Sequence, residues 1–281
     1  MSTPQWLDRV VDAAGGDRGL VDTDGINPVL QRTAAAGEKT RSASVLVLFG
    51  GSEEPNPAAR GGLPADADVL LTQRASTLRQ HGGQIAFPGG ATDPGDDSPI
   101  ATALREAEEE TGLDPTGVQP LTTMPGIYVP PSRFDVVPVL AYWRTPSAVG
   151  VVDTAEAARV VRVPIETLID PGNRFQVRHP AGYQGPAFAV DGMLVWGFTG
   201  GILAGLLAVS GWETEWDTDD IRDLEASLAA VAEFSEPSAG STPANSGHSA
   251  GSTPAGSGHS AGSTPAGSGH SAGSTPAGRD Q

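Results

Sequence analysis

Four glutamates close the most informative stretch of the chain, which runs from Leu70 to Leu113. They are Glu106, Glu108, Glu109 and Glu110, and Gly112 follows them, which predicts a helix that ends at the glycine. On a helix, residues three and four positions apart are neighbours, so Glu109 and Glu110 flank Glu106 while Glu108 points away. Three carboxylates are therefore predicted to converge on one spot.

This convergence favours a metal site. Like charges at close range are costly unless a cation compensates them, and the hard divalent cations Mg²⁺ and Mn²⁺ prefer oxygen ligands. The alternative is a solvated acidic face, which is how most charge runs on helices behave. The glutamates alone favour the solvated face, so the neighbouring residues have to decide.

Those neighbours resemble a known signature. The run Arg105–Leu113, REAEEETGL, together with the preceding Phe87–Gly90, resembles the Nudix box, the loop-helix-loop motif of Nudix hydrolases. The helical part agrees at every position. In the loop, the box asks for a glutamate where this chain has Asp96, and eight residues instead of seven separate Asp96 from Arg105. Asp96 or Asp97 is the candidate for that place.

The resemblance implies an α/β/α sandwich with a mixed sheet and a metal-dependent hydrolase. Glu106, Glu109 and Glu110 would hold Mg²⁺ or Mn²⁺ and serve the reaction, and Arg105, four residues before Glu109, would orient the helix carboxylates. The source of the general base varies in the family. Glu156 is the candidate here, with an ordinary surface glutamate as the alternative.

The residues upstream of the box resemble the signature of coenzyme A pyrophosphatases. The candidate substrate-binding residues are Arg74, Arg79, His81, Gly83, Phe87, Gly89 and Gly90. Guanidinium groups bind phosphates through paired hydrogen bonds. The alternative is that both arginines are surface charges or pair with the acidic helix. His81 occupies a free position of the signature, so an exposed histidine without a role is an equal alternative.

The implied reaction is hydrolysis of the diphosphate of coenzyme A, and of acyl forms, to adenosine 3′,5′-bisphosphate and 4′-phosphopantetheine. Two alternatives stay open. One is a Nudix hydrolase of another nucleoside diphosphate derivative, such as NADH, ADP-ribose or a nucleotide sugar. The other is a non-catalytic nucleotide-binding regulator, which the loss of a box glutamate would have favoured, and no box glutamate is lost.

The composition limits the partners. The net charge is −17, which argues against nucleic acid or an anionic membrane as a partner but not against a phosphorylated small molecule, because a bound cation inverts the local potential. The chain has no cysteine, so disulfides and thiolate sites are excluded. The amino terminus lacks the pattern of a secretory signal, and a cytoplasmic location is expected. The oligomeric state is left open.

The uncharged stretch Met193–Trp212 is long enough to span a bilayer, but its five glycines and its acidic flanks favour a strand followed by a buried helix. Other helices are predicted at 4–14, 165–169 and 219–234, the last capped by Thr218. Strands are predicted at 44–49, 68–72, 126–129, 134–143, 159–163, 174–178, 187–190 and 193–196. The mixed order suits one sheet that is covered by helices on both faces.

The sequence predicts three segments: an N-terminal helical extension at 1–40, a Nudix domain at 41–236 and a repeat tail at 237–281. The tail repeats AGSTPAGSGHS, a composition too poor in apolar residues to offset the entropy of ordering, so a flexible tail is predicted. His248, His259 and His270 recur once per repeat. Their spacing in a flexible chain favours passive repetition over a metal site.

Overall fold

The computed structural model describes residues 2–16, 20, 27–35, 39–78, 81–130 and 132–235. The helices of these ranges are α1 (Asp8–Ala14), α2 (Pro99–Thr111), α3 (Ile165–Ile169), α4 (Gly197–Ser210) and α5 (Leu224–Ser235). The strands are β1 (Arg41–Gly50), β2 (Asp68–Arg74), β3 (Ile85–Ala86), β4 (Gly89–Ala91), β5 (Val118–Thr123), β6 (Ile127–Val129), β7 (Phe134–Trp143), β8 (Ala157–Pro164), β9 (Arg174–Arg178), β10 (Gln184–Val190), β11 (Met193–Val195) and β12 (Ile221–Asp223). Short 3₁₀ turns form at Gln5–Leu7, Pro28–Gln31, Arg60–Gly62, Pro115–Gly117 and Pro171–Asn173. Arg79 and the predicted tail at 237–281 lie outside the described residues.

Two long strands, β1 and β7, pair in parallel at the centre of the main sheet. The strand order is β3-β2-β1-β7-β5, with β4 also paired to β1, β6 to β7 and β8 to β2. All of these other pairs are antiparallel. The long apolar runs of β1 and β7 are typical of strands that are covered on both faces. The mixed sheet implied by the sequence is confirmed.

Helices cover both faces of this sheet because side chains alternate along each strand. On one face Leu46 of β1 packs in the same apolar cluster as Ala107 of α2. On the other face Val47 packs with Val10 of α1 and Leu206 of α4. All five side chains are almost completely buried. The layered α/β/α arrangement is thereby confirmed, and α1 of the N-terminal segment belongs to the same core.

Helix α2 has a clear signal at each end. The Ser98 hydroxyl accepts a hydrogen bond from the Ala101 N–H at 3.2 Å, and Pro99 occupies the first turn, where its missing N–H costs nothing. At the other end Gly112 is left-handed, with φ 70°, and its N–H donates to the Glu108 carbonyl. The predicted end of the helix at Gly112 is confirmed.

A second sheet, with the order β11-β10-β9-β12, corrects the expectation of a single sheet. Strand β10 alternates between two apolar clusters, because Phe188 packs into the main core while Ala187 packs with Leu224 of α5. The sequence predicts β9, β10 and β11 as strands, but it does not show with which strands they pair, since pairing depends on contacts that are distant in the chain.

The last helix begins later than predicted. The residues of β12 pair in parallel with β9, so the segment from Asp219 to Asp223 is not helical. The Asp223 carboxylate accepts a hydrogen bond from the Ala226 N–H at 2.9 Å, at the start of α5. The Thr218 carbonyl accepts a hydrogen bond from the Gln176 side chain instead of starting a helix. The prediction that Thr218 caps the last helix is therefore wrong.

The predicted apolar stripe of that helix is only half correct. Leu224 is buried, and Val231 is half-buried against the same cluster. Ile221 and Leu228 are 38% and 39% exposed. Ile221 lies on a strand, which removes the helical spacing that the prediction relied on.

The sequence pattern does not predict strand β5. Pro120 interrupts the pattern of β5, and the register with β7 shifts between Pro120 and Thr122. A proline normally argues against a strand.

The uncharged stretch Met193–Trp212 forms β11 followed by the buried α4, as predicted. No helix in the described part of the chain is long and apolar enough to cross a membrane.

Candidate active site

Arg105 on α2 is the centre of an ion-pair network. Its Nε and Nη2 atoms donate to the two oxygens of Asp96 at 3.0 and 2.9 Å, and Nη2 also donates to the Ala91 carbonyl at 3.1 Å. Its Nη1 atom donates to Glu106 at 2.9 Å and to Glu109 at 3.0 Å. The paired bonds to Asp96 fix the plane of the guanidinium group, which in turn fixes the direction of Nη1.

Asp96 takes the place that the Nudix box gives to a glutamate. Its side chain is only 6% exposed, whereas Asp97 is exposed. The Arg105 guanidinium and the Asp93 backbone N–H hold the pKa of Asp96 well below its usual range. The open choice between Asp96 and Asp97 is therefore decided by geometry in favour of Asp96.

Two box carboxylates are partly buried in the angle between α2 and the loop that contains β4. The Gly89 N–H donates to Glu110 Oε2 at 3.2 Å. Burial raises the pKa of Glu110 to about 7, against the lowering effects of the Gly89 N–H and of Arg74. Burial also raises the pKa of Glu106, although Arg105 acts in the opposite direction. In both carboxylates burial therefore outweighs the neighbouring groups that favour the ionised form.

The three predicted metal ligands, Glu106, Glu109 and Glu110, do not form a ready-made cation site in this arrangement of side chains. Among the described residues no group of three acidic or histidine side chains is arranged to hold a metal ion. Arg105 is the physical reason, because Glu106 and Glu109 turn toward its Nη1 atom while Glu110 turns toward Gly89. The side chain of Glu109 is also 60% exposed.

Gly89 and Gly90 allow the loop to approach both β1 and α2. Gly89 has φ 155°, and a Cβ there would overlap the Ser44 carbonyl oxygen and lie 2.6 Å from the Val45 Cα. A Cβ at Gly90 would overlap the Glu106 carboxylate. Only glycine fits this close approach. Both residues were predicted to bind substrate, and the structure gives each of them a packing reason as well.

The backbone segments that carry Arg74 and Glu156 lie side by side at the end of β2. The alternation along β2 places Arg74 on the same face as Leu70, which packs against α2. The Glu156 carbonyl accepts a hydrogen bond from the Ala75 N–H at 2.8 Å, and the Glu156 side chain is exposed. Arg74 lowers the pKa of Glu110 and Glu156 raises it, so both charges act on the same box carboxylate.

The turn after β2 contains two further candidates. The Gly83 N–H donates to the Arg74 carbonyl at 3.0 Å, and Gly83 has φ 76°. His81 also has a positive φ, 58°, and its Nδ1 lies 2.8 Å from Gln84 Oε1 on the exposed surface. The structure therefore gives both residues a role in shaping the turn that follows Arg74.

Phe87 requires a correction. Its side chain is 2% exposed and belongs to the main apolar core, so it is closed to a ligand. Its packing in the core anchors the start of the loop that contains β4. Two backbone groups of this loop, the Gly89 N–H and the Ala91 carbonyl, were missed, and the only sequence signal for them is the pair of glycines that lets the chain come close.

Comparison with known proteins identifies the family. Residues 55–179 match the NUDIX domain. The chain is 35% identical over 196 residues to the uncharacterized Nudix hydrolase NudL of Cronobacter sakazakii, a match that covers 66% of this chain and 90% of the relative. It is 34% identical over 187 residues to NudL of Citrobacter koseri, covering 62% of this chain and 86% of the relative. The chain belongs to the Nudix hydrolase family, which acts on nucleoside diphosphate derivatives.

A solved structure is also similar. The Nudix hydrolase RenU from M. smegmatis shares 25% identity and a TM-score of 0.35, covering 46% of this chain and 73% of that chain.

Proposed function

We propose that this Nudix hydrolase cleaves the diphosphate bond of coenzyme A, and of its acyl forms, to adenosine 3′,5′-bisphosphate and 4′-phosphopantetheine. One observation carries the proposal. Arg74, from the segment that resembles coenzyme A pyrophosphatases, lies on the face of β2 that packs against α2, the helix of the Nudix box, and its charge lowers the pKa of Glu110. This placement supports one site built from both halves of the signature, with a cationic group beside a set of acidic groups.

The residues present fit Mg²⁺ or Mn²⁺. Glu106, Glu109 and Glu110 offer only carboxylate oxygens, the donors that these ions prefer. Burial raises the pKa of Glu106 and Glu110, and a cation bound beside them would favour the ionised form of both carboxylates. When bound, the cation would neutralise charge on the diphosphate and acidify the attacking water. Glu106 and Glu109 each give one oxygen to Arg105, and the second oxygen of each carboxylate would be the one to bind the cation.

The chain's own residues supply position and proton transfer. Arg74, and Arg79 by its place in the signature, would bind diphosphate oxygens through paired hydrogen bonds. Arg105, locked by Asp96, sets the direction of the box carboxylates. Glu156 would take the proton from the attacking water as a new bond forms between the water oxygen and phosphorus. The bridging P–O bond breaks, and the leaving phosphate takes up the negative charge.

A matched pair of variants tests this function. Purified full-length protein is incubated with coenzyme A and Mg²⁺ or Mn²⁺, and the products are identified by mass spectrometry. Glu110→Gln should lower the rate by about 100-fold or more, the scale found when one group that stabilises transition-state charge is lost. Glu108→Gln makes the same chemical change on the exposed side of α2 and should leave the rate within about twofold.

The pattern of products separates the alternatives. Formation of both expected products by wild type and Glu108→Gln, with loss in Glu110→Gln, would support the proposal. Cleavage of NADH or ADP-ribose without cleavage of coenzyme A would overturn the substrate and keep the reaction class. Nucleotide binding with no cleavage of any of the three would instead favour a regulator.

A further inference from the structure

The segment between β7 and β8 is attached to the active site at both ends. The Gly150 N–H donates to the carbonyl of Thr111, the last residue of α2, at 2.9 Å. The Ala75 N–H, directly after β2, donates to the Glu156 carbonyl at 2.8 Å. Between these two anchors the chain must turn so that Glu156 arrives beside Arg74.

Asp153 makes that turn. Its Oδ1 atom accepts a hydrogen bond from the Ala155 N–H at 2.7 Å. Its carbonyl accepts bonds from the N–H groups of Glu156 at 3.1 Å and Ala157 at 3.0 Å. An aspartate whose side chain bonds to the backbone two residues ahead is a recognised turn former. Among the ion pairs of the described residues none includes Asp153, so its carboxylate serves the turn.

A break in strand register follows at once. The pairing of β2 with β8 runs regularly from Asp68 to Gln73, which faces Arg159. Arg74 then faces Ala157, so one residue of β8 is extra. Such bulges occur beside active sites, where they change the direction of a side chain. The turn and the bulge together fix the position of the Glu156 backbone directly before β8.

We propose that Asp153 is a positioning residue for the hydrolysis, acting through Glu156. This inference rests on the proposed function, in which Glu156 receives the proton from water. Asp153 lies in an exposed stretch of chain, and its charge is unpaired in the described residues. The three hydrogen bonds that it accepts define the path of the backbone into Glu156. Without the side-chain bond only the two bonds to the Asp153 carbonyl hold the turn, so the backbone that carries Glu156 is held less firmly.

A double-mutant cycle tests this role. The variants are Asp153→Ala, Asp153→Asn, Glu156→Gln and the combination of Asp153→Ala with Glu156→Gln. We expect Asp153→Ala to lower kcat by about tenfold with KM changed less than about twofold, since ground-state binding does not need Glu156. Asp153→Asn should restore kcat because its side-chain oxygen still accepts the bond. In the Glu156→Gln background, Asp153→Ala should cause no further loss.

A second readout does not depend on catalysis. Amide hydrogen exchange at Ala155 and Glu156 should accelerate in Asp153→Ala and stay slow in Asp153→Asn, while the amides of the central strand β1 stay equally slow in both variants. Additive losses in the double variant, an equal loss in Asp153→Asn, or unchanged kcat in Asp153→Ala would each overturn the inference.

The proposed function can fail separately. If wild type cleaves no diphosphate substrate, the proposed function and the catalytic part of this inference both fall, and the exchange data alone decide whether Asp153 orders the turn. If wild type cleaves coenzyme A but Glu156→Gln keeps its kcat, the diphosphatase function stands while both the base assignment and the role of Asp153 are refuted.

Discussion

Gly89 gives the sharpest test of how the site is built. An alanine there would need a left-handed backbone at φ 155° and a Cβ placed 2.6 Å from the Val45 Cα, in addition to the overlap with the Ser44 carbonyl. The obstructing atoms are backbone atoms of the central strand β1, which cannot rotate away. We therefore expect Gly89→Ala to move the loop away from β1.

The loss of stability in Gly89→Ala has two sources, backbone strain and weakened hydrogen bonds. Backbone strain of this kind costs about 1–3 kcal/mol. Displacing the loop also weakens the pairing of Gly89 with Val45 and the bond from the Gly89 N–H to Glu110, each worth about 1 kcal/mol. Together these give a loss of roughly 3–5 kcal/mol in the free energy of unfolding, or a fall in Tm of roughly 6–20 °C for a domain of this size.

Chemical denaturation with urea measures this loss, and Gly95→Ala is the matched control. Gly95 lies in the same loop, and a Cβ there would meet no heavy atom within 4 Å. It should change the free energy of unfolding by less than about 0.5 kcal/mol. Equal stability of Gly89→Ala and wild type would refute the reasoning, because the close approach of the loop to β1 would then not restrict this position.

Three further predictions follow from other parts of the chain. Because Arg105 depresses the pKa of Asp96, the ion pair should stabilise the fold above about pH 4 and lose that contribution as the pH falls; Asp96→Asn should therefore show a smaller drop in Tm between pH 5 and pH 2, and an identical drop would contradict this. Asp223→Ala should cost about 1 kcal/mol by removing the cap of α5, and Asp223→Asn should cost less, as measured by urea unfolding; equal values for the two would argue against capping. Truncation after Glu236 should leave the turnover of coenzyme A unchanged, and a large loss would give the predicted tail a role in catalysis.

Sequence reasoning worked where the signal was local. The end of α2 at Gly112 and the apolar runs of β1 and β7 follow from short-range rules, and the structure confirms them. The start of α5 did not follow, because residues 221–223 could satisfy their backbone groups either in a helix or beside β9. Pairing with a distant strand decided the outcome.

The site shows the same limit. Helical spacing placed three glutamates on one face. It could not show that Arg105 donates hydrogen bonds to two of them, or that Asp96 fixes the orientation of the guanidinium group. The burial of Phe87 was equally hidden, since a phenylalanine in a motif does not reveal which side of the loop faces the core. Both outcomes depend on how the loop packs on α2 and β1.

The most direct test of the central claim is a competition experiment. Equal concentrations of coenzyme A, NADH and ADP-ribose are mixed with the full-length protein and Mg²⁺ or Mn²⁺, and the disappearance of each compound is followed over time by liquid chromatography. We expect coenzyme A to be consumed first and 4′-phosphopantetheine to appear at the same rate. Faster consumption of NADH or ADP-ribose, with coenzyme A left intact, would contradict the proposed substrate.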